Sequence, residues 1–396
     1  MIDRNVFRLA AVLLLIVWAW GAQSKPYLPT DDATVLERLP LKATDPVARE
    51  LAELRTRLAA DPANSALAAT LARRYFRLAM AEGDPRYIGY GEAALRSWWS
   101  RADAPHGVIK MRALLKQYKH DFAGALADLA VAGDADPSDE EIWSWRAALH
   151  IVRADYAAAT RDCAMLKRHA SAIAWTGCQS WVDGMTGKAS QAYAALADAH
   201  ARDQDAGPGA RVWTLTRLAE LALRRDEPAL AERHFKQALA QGVDDQYLLA
   251  AYADFLLDQS RPREVLSLLK AWSKADVLLL RLALAEKALN VSAGGQHARA
   301  LQARFEAAAM RRDTLHLQEE ARFRLHILND PVRALTVAQE NWALQREPRD
   351  ARVLLEAALA MRNPDAARPA LTWLDGSHHE DPILRGLARQ LAPRAP

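Results

Sequence analysis

From Pro46 to Ala60 apolar residues recur three and four positions apart, and the same spacing continues almost to the end of the chain. The pattern predicts amphipathic helices and no strand. A longer period, near 34 residues, lies over it. A segment beginning at His106 carries Ile109, Ala113, Ala125, Leu129 and Ala132 at places 4, 8, 20, 24 and 27, with Pro137 at place 32. The segment from Glu140 repeats this with Trp143, Ala147, Ala159 and Cys163 at places 4, 8, 20 and 24. Ser180, Ala192, Leu196 and Ala199 do so from Ile173, and Leu218, Ala219, Ala231, Phe235 and Ala238 do so from Val212. Small residues at places 8 and 20 let two helices of a hairpin approach closely, and bulky residues around them fill the remaining space. One such hairpin cannot bury its apolar face alone, so the repetition predicts a stack.

Punctuation follows the same register. Asp61-Pro62, Asp84-Pro85, Asp136-Pro137, Asp330-Pro331 and Asn363-Pro364 each set a capping side chain before a proline suited to a first helical turn. Further hairpins are expected from Gln246, from Ala275–Asn290 with Gln296–Arg312, from Leu315–Leu328 with Pro331–Arg346, and from Arg349–Met361 with Asp365–Leu374. A short helix over Pro382–Leu391 is expected to cap the stack. The stretch Asp84–Trp99 departs from the period and concentrates Tyr87, Tyr90, Trp98 and Trp99. It reads as filling of the first hairpin, with a recognition surface as the alternative.

The residues at places 4, 7, 8, 20, 24, 27 and 32 resemble the tetratricopeptide repeat superfamily from about residue 45 onward. The resemblance implies an all-α, right-handed superhelical solenoid of about nine hairpins, capped at both ends, with a concave groove. In that superfamily places 2, 5, 9, 12 and 13 of the first helix line the groove. Carried over, they give Lys110, Leu114, Gln117 and Tyr118, then Ser144, Ile151 and Val152, then Trp181 and Met185, then Trp213, Glu220 and Arg224, then Tyr247, Asp254 and Asp258. Of these, Lys110, Gln117, Tyr118, Trp181, Trp213, Arg224, Tyr247 and Asp254 are the implied partner-binding set.

Arg4 and Arg8 precede an apolar run from Leu9 to Ala22, followed by Gln23, Ser24 and Lys25. About 20 apolar residues are needed to cross a bilayer, whereas a signal peptide needs 7 to 15, so residues 1–24 read as a secretory signal or, uncleaved, an anchor. Residues 25–44 read as a linker and 45–396 as the solenoid. The expected location is periplasmic or otherwise exported, with the membrane reached only through the N-terminal segment.

Export changes what the two cysteines mean, because a pair in an oxidising compartment tends to bond. Cys163 and Cys178 lie equally far on either side of a turn at His169–Ala172, so antiparallel helices bring them to one height. A disulfide is expected, and two buried thiols are the alternative.

A formal charge of +3 over 396 residues gives no footprint for nucleic acid. No GxGxxG, GxxxxGK, GxSxG or HExxH pattern occurs, and no cofactor or metal is expected. His378-His379-Glu380-Asp381 is the densest group of potential ligands and reads as a solvated capping loop. His316, Glu319 and Glu320 read as the wet face of a helix. The expected function is a non-catalytic scaffold binding a protein or peptide segment. The alternatives are an envelope enzyme acting on a polymer, with Glu220, Asp254 or Asp258 as acid or base, and a permanent subunit of an envelope assembly.

Overall fold

The computed structural model describes Pro29, Asp31 and residues 45–203, 205–290 and 295–392. The apolar run at Leu9–Ala22 and nearly all of the linker lie outside these residues. Among the described residues no helix is long and apolar enough to cross a membrane. The chain divides into two compact units, residues 1–52 and 53–396. Asp45 Oδ1 accepts the Val47 N–H at 2.8 Å, which starts helix α1, Pro46–Ala60, of which residues 46–52 belong to the first unit.

In the second unit every described element is helical. The first two pairs are α2 (Ser65–Glu82) with α3 (Arg86–Ala94) and α4 (His106–Tyr118) with α5 (Phe122–Ala135). They are followed by α6 (Glu140–Val152) with α7 (Tyr156–His169), α8 (Ala172–Met185) with α9 (Ala189–Arg202), and α10 (Pro208–Arg224) with α11 (Pro228–Leu239). Then come α12 (Gln246–Asp258) with α13 (Pro262–Leu269), α14 (Asp276–Ala288) with α15 (Gln296–Arg311), α16 (Leu317–His326) with α17 (Pro331–Leu344), and α18 (Pro348–Ala360) with α19 (Pro364–Gly376). The last helix, α20 (Pro382–Leu391), packs back on α18.

The repeat places explain the pairing. Ala113, Ala125, Ala159, Ala219 and Ala231 are fully buried, and Ala147, Ser180 and Ala192 nearly so, at the crossings of their hairpins. Burial without bulk is what a close crossing needs. Within the hairpins most turns share one construction. His120, Ala154, Gly187, Asp226, Ser260 and Arg362 each adopt a left-handed conformation. The next residue's N–H then reaches the carbonyl five positions back, as Asp155 does to His150 at 2.8 Å and Asn363 to Ala358 at 2.9 Å. This is the Schellman closure, which satisfies carbonyls orphaned at a helix end. That next residue also caps the following helix. Asp121, Asp155 and Asn363 accept the N–H groups of Gly124, Ala158 and Ala366.

Two expectations need correction. Asp330-Pro331 and Asn363-Pro364 do begin their helices, but after Asp61-Pro62 and Asp136-Pro137 a further turn intervenes and Asn64 and Asp139 are the caps. Their side chains accept from Leu67 and Glu141, and a helix begins where the orphaned N–H groups find an acceptor. Asp84 instead accepts the Arg86 N–H at 3.0 Å. Within Asp84–Trp99, Tyr87 and Trp98 are buried, and Tyr75 lies 6.2 Å from the Tyr87 ring and 5.5 Å from that of Tyr90. Only Tyr90 is substantially exposed.

Side chains far apart in sequence share one core. A single cluster joins Ile151, Cys163, Val182 and Met185 to Leu325, Trp342, Leu354, Trp373 and Leu391. The turns of the early hairpins meet the late ones: the Arg346 N–H donates to the Val152 carbonyl at 2.7 Å, Ala189 N–H to Glu380 Oε2 at 2.6 Å, and Gln246 Nε2 to the Met80 carbonyl at 3.0 Å. The Gly83 Cα leaves room for Gln246 and Ala275, both of which a Cβ would strike within 3 Å.

Candidate partner-binding groove

The first helices of successive hairpins turn one face toward a common interior. Trp181 on α8, Arg224 on α10, and Tyr247 and Asp254 on α12 line one cavity, together with Arg322 on α16 and Arg349 on α18. Its volume is about 280 Å³. Pockets for drug-sized ligands run roughly 300–1,000 Å³. Residues of α16, α18 and the start of α20 form part of its lining. Four of the residues implied as partner-binding thus share one cavity.

Most of the charged side chains around the cavity are paired. Arg217 stacks over the Trp181 ring at 4.4 Å and the Tyr247 ring at 4.6 Å, and its Nη1 donates to Glu220 at 2.8 Å. The Tyr247 hydroxyl donates to the other oxygen of Glu220 at 2.5 Å. Burial pushes the Tyr247 hydroxyl far above its usual range, so it stays protonated. Arg281 and Arg322 both hold Asp254, at 2.6 and 2.9 Å. Burial works to raise that carboxyl, but the two guanidinium groups outweigh it and keep Asp254 well below the carboxylate range. Arg352 holds Asp258 through two bonds of 2.7 and 2.8 Å. Asp254 thus has no proton to donate at neutral pH, and all three acids considered for acid–base work are committed to arginines.

The remaining groove candidates are placed differently. Trp213 is 36% exposed and meets Trp181 edge-on, the ring centroids 6.4 Å apart. Its ring lies over Gly177, where a Cβ would come within 2.5 Å of Cζ3. Lys110 does not line the cavity; it is bound by Asp139 at 2.5 Å and Glu141 at 3.0 Å. Gln117 and Tyr118 are half-buried at the end of α4. Burial, helped by Asp84, Asp276 and Asp313, pushes the Tyr118 hydroxyl up to about 12. Leu114 and Ile151, carried over from the superfamily places, are fully buried core residues.

Each of two clusters read as wet holds one buried residue, His379 and Glu319. His379 has no exposed surface, and its ring lies tilted against Trp373 with the centroids 5.2 Å apart. Burial and the nearby Arg224 push it down to about 3, so it is neutral. Glu380 spends its carboxylate on the Ala189 N–H, and Asp381 caps α20 through Ile383 and Leu384. The loop is therefore a dock between hairpins. Glu319 is 6% exposed; burial works to raise it, but His316 and Arg281 hold it near the bottom of the carboxylate range, at about 2. Both reversals have one cause: the late hairpins fold back on the early ones, which no local pattern announces.

Among the described residues one trio, His106, Asp136 and Asp139, brings potential metal-ligating atoms within 4.8 Å of one another. Lys110 already occupies Asp139, and Ser138 donates to Asp136. The cations and donors that such a set would serve are supplied by the chain itself.

Cys163 and Cys178 are joined as a disulfide with Cα atoms 5.5 Å apart. Cys163 is 1% exposed and Cys178 7%.

No protein-family model matches the sequence, and no curated protein matches it. Solved structures are similar at the level of fold. A tetratricopeptide repeat protein from Parabacteroides merdae is 15% identical, with a TM-score of 0.43 over 64% of this chain and 90% of its own. Yeast Tom70 is 10% identical with a TM-score of 0.40, covering 87% of this chain and 84% of its own. The Cut9–Hcn1 hetero-tetramer of the APC/C is 11% identical with a TM-score of 0.40, over 87% of this chain and 52% of that one. At these scores the tetratricopeptide-like description rests on the chain's own hairpins, on their small crossing residues and on their turns.

Proposed function

We propose that the protein is a non-catalytic interaction scaffold of the cell envelope that holds a segment of a partner protein. The observation that carries this reading is the pairing of Glu220, Asp254 and Asp258 with Arg217, Arg281, Arg322 and Arg352. Such pairing suits a rigid frame and leaves these acids ill-placed to exchange protons with a substrate. The partner meets the frame at its accessible edge, where Trp213 presents an aromatic face supported by Trp181 and Arg217. Aromatic anchors of this kind carry much of the binding energy in interfaces.

The envelope location is supported by Arg4 and Arg8 ahead of a short apolar run and by the Cys163–Cys178 bond, which persists in oxidising compartments. Residues 1–24 then serve as a signal peptide, or as an anchor where they are retained. Reporter fusions after Pro396 test this, with activity expected only outside the cytoplasm.

Cross-linking and affinity capture of the exported chain, compared with its Trp213→Ala variant, test the scaffold reading. A partner retained by the native chain and lost by the variant is the expected result. Hydrolysis of an envelope polymer that disappears in Glu220→Gln would instead establish the enzyme.

A further inference from the structure

The cavity among α8, α10, α12, α16 and α18 carries more hydrogen-bonding capacity than the chain itself uses. Gln318 is 2% exposed and lines it, and neither its amide nitrogen nor its amide oxygen has a protein partner. The Nε atoms of Arg217 and Arg322, both lining the same cavity, are also without a partner. Buried groups left in that state are costly unless something in the cavity meets them.

Arg224 adds a charge. Its guanidinium lies against Gly184, where a Cβ would be 2.7 Å from Nη1, and its Nη2 contacts the Met185 sulfur at 3.5 Å. Its counterparts Arg217, Arg281, Arg322 and Arg352 are each held by a carboxylate within 2.9 Å. Among the described residues no carboxylate makes an ion pair with Arg224. The unused inventory is one guanidinium, two Nε–H donors and an amide N–H₂, against a single amide acceptor. It calls for a ligand rich in acceptor oxygens with one donor of its own.

Charge and size narrow the class. Glu220, Asp226, Asp254, Asp258, Glu347 and Asp381 also line the cavity and disfavour a multiply charged anion, whereas a single negative charge pairs with Arg224. About 280 Å³ admits a small molecule only. Trp181, Tyr247 and Leu384 supply apolar walls for a short carbon body, and Ile383, 39% exposed, stands at the mouth.

We propose that this cavity is a binding site for a small organic monocarboxylate bearing an N–H or O–H group, with Arg224 holding the carboxylate and Gln318 the neighbouring polar group. The site is distinct from the Trp213 edge, and its occupation does not depend on a protein partner.

The test is calorimetric titration of the full exported chain with N-acetylalanine and lactate at millimolar concentration. N-acetylalanine amide, which lacks the charge, and inorganic phosphate serve as comparisons. Saturable binding of at least one carboxylate is expected, weakened at least about tenfold for the neutral amide and in Arg224→Met and Gln318→Leu. No saturable binding by either carboxylate would show a cavity filled by water and would overturn the proposal. So would equal affinity for the amide or for phosphate. The comparison of acid with amide uses the native chain, so the result stands even where a variant fails to fold.

Discussion

Trp373 Nε1 donates a hydrogen bond to the Tyr156 hydroxyl at 2.8 Å, across 217 positions of sequence. Trp373 is on α19 in the ninth hairpin, and Tyr156 begins α7 in the third. Trp373 belongs to the core that ties the late hairpins to the early ones, and the half-buried Tyr156 packs against it. Tyr156→Phe leaves the ring in place and the indole N–H unpaired, which costs about 1–2 kcal/mol. Denaturant unfolding should show a lower midpoint at unchanged slope. Amide exchange should rise first in α19 if this bond holds the fold-back.

Gly177 reverses the usual helix rule. Glycine to alanine inside a helix stabilises by about 1 kcal/mol in open surroundings. Here the added methyl would meet Trp213 at 2.5 Å. Gly177→Ala should therefore destabilise by about 1–3 kcal/mol and shift tryptophan emission as Trp213 and Trp181 are displaced. Unchanged emission together with a gain in stability would contradict the packing described.

The left-handed turns offer the opposite case. Arg362 is exposed and holds φ at 51°, a conformation that costs a residue with a Cβ about 1 kcal/mol or more. Arg362→Gly should raise the unfolding free energy measured in denaturant by roughly 0.5–1 kcal/mol, the relief of turn strain being partly offset by the flexibility of glycine when unfolded.

Reducing the Cys163–Cys178 bond releases a loop of 15 residues, worth about 3 kcal/mol in the chain-entropy account. Thermal melts with and without reductant should differ accordingly. Thiol titration of denatured, unreduced protein from the exported fraction should find no free thiol, and two per chain would refute the bond.

Acid should loosen the fold through its buried histidines. Burial and Arg224 hold His379 down to about 3, and burial and His316 hold His120 down to about 4, against an ordinary 6.5. The unfolded chain binds these protons at higher pH than the folded chain does. Their stabilising contribution is complete above pH 6.5 and declines as pH falls toward 3. Asp162, which burial raises to about 6, acts in the other direction, its contribution being lost as pH rises from 3.8 through 6. His379→Phe isolates one histidine: between pH 6.5 and 4 the native chain should lose a few kcal/mol of unfolding free energy more than the variant does.

Much of the architecture was legible because its determinants are local. Ala113 with Ala125, and Ala219 with Ala231, mark hairpin crossings by spacing alone, since a close crossing admits only small side chains. Asn363-Pro364 marks a helix start by its capping chemistry. Cys163 and Cys178 could be set at one height by counting from a turn. The same reasoning erred by a turn at Asp61-Pro62 and Asp136-Pro137, where a second polar residue nearby competes for the cap. The recurrent left-handed residue before each cap was also open to counting, but its identities, from Gly187 to Ala154 and Arg362, share no side-chain chemistry.

The sequence by itself determined the helices, their pairing and the small residues on which each pair crosses, because these depend on neighbours within one repeat. Only the tertiary structure decided which of the candidate residues share a cavity. The pairing of Tyr247 with Glu220, of Asp254 with Arg322, and the burial of His379 and Glu319 depend on how far the stack has turned before α16–α20 return to it. That turn sums small rotations over many hairpins, and no single residue records it.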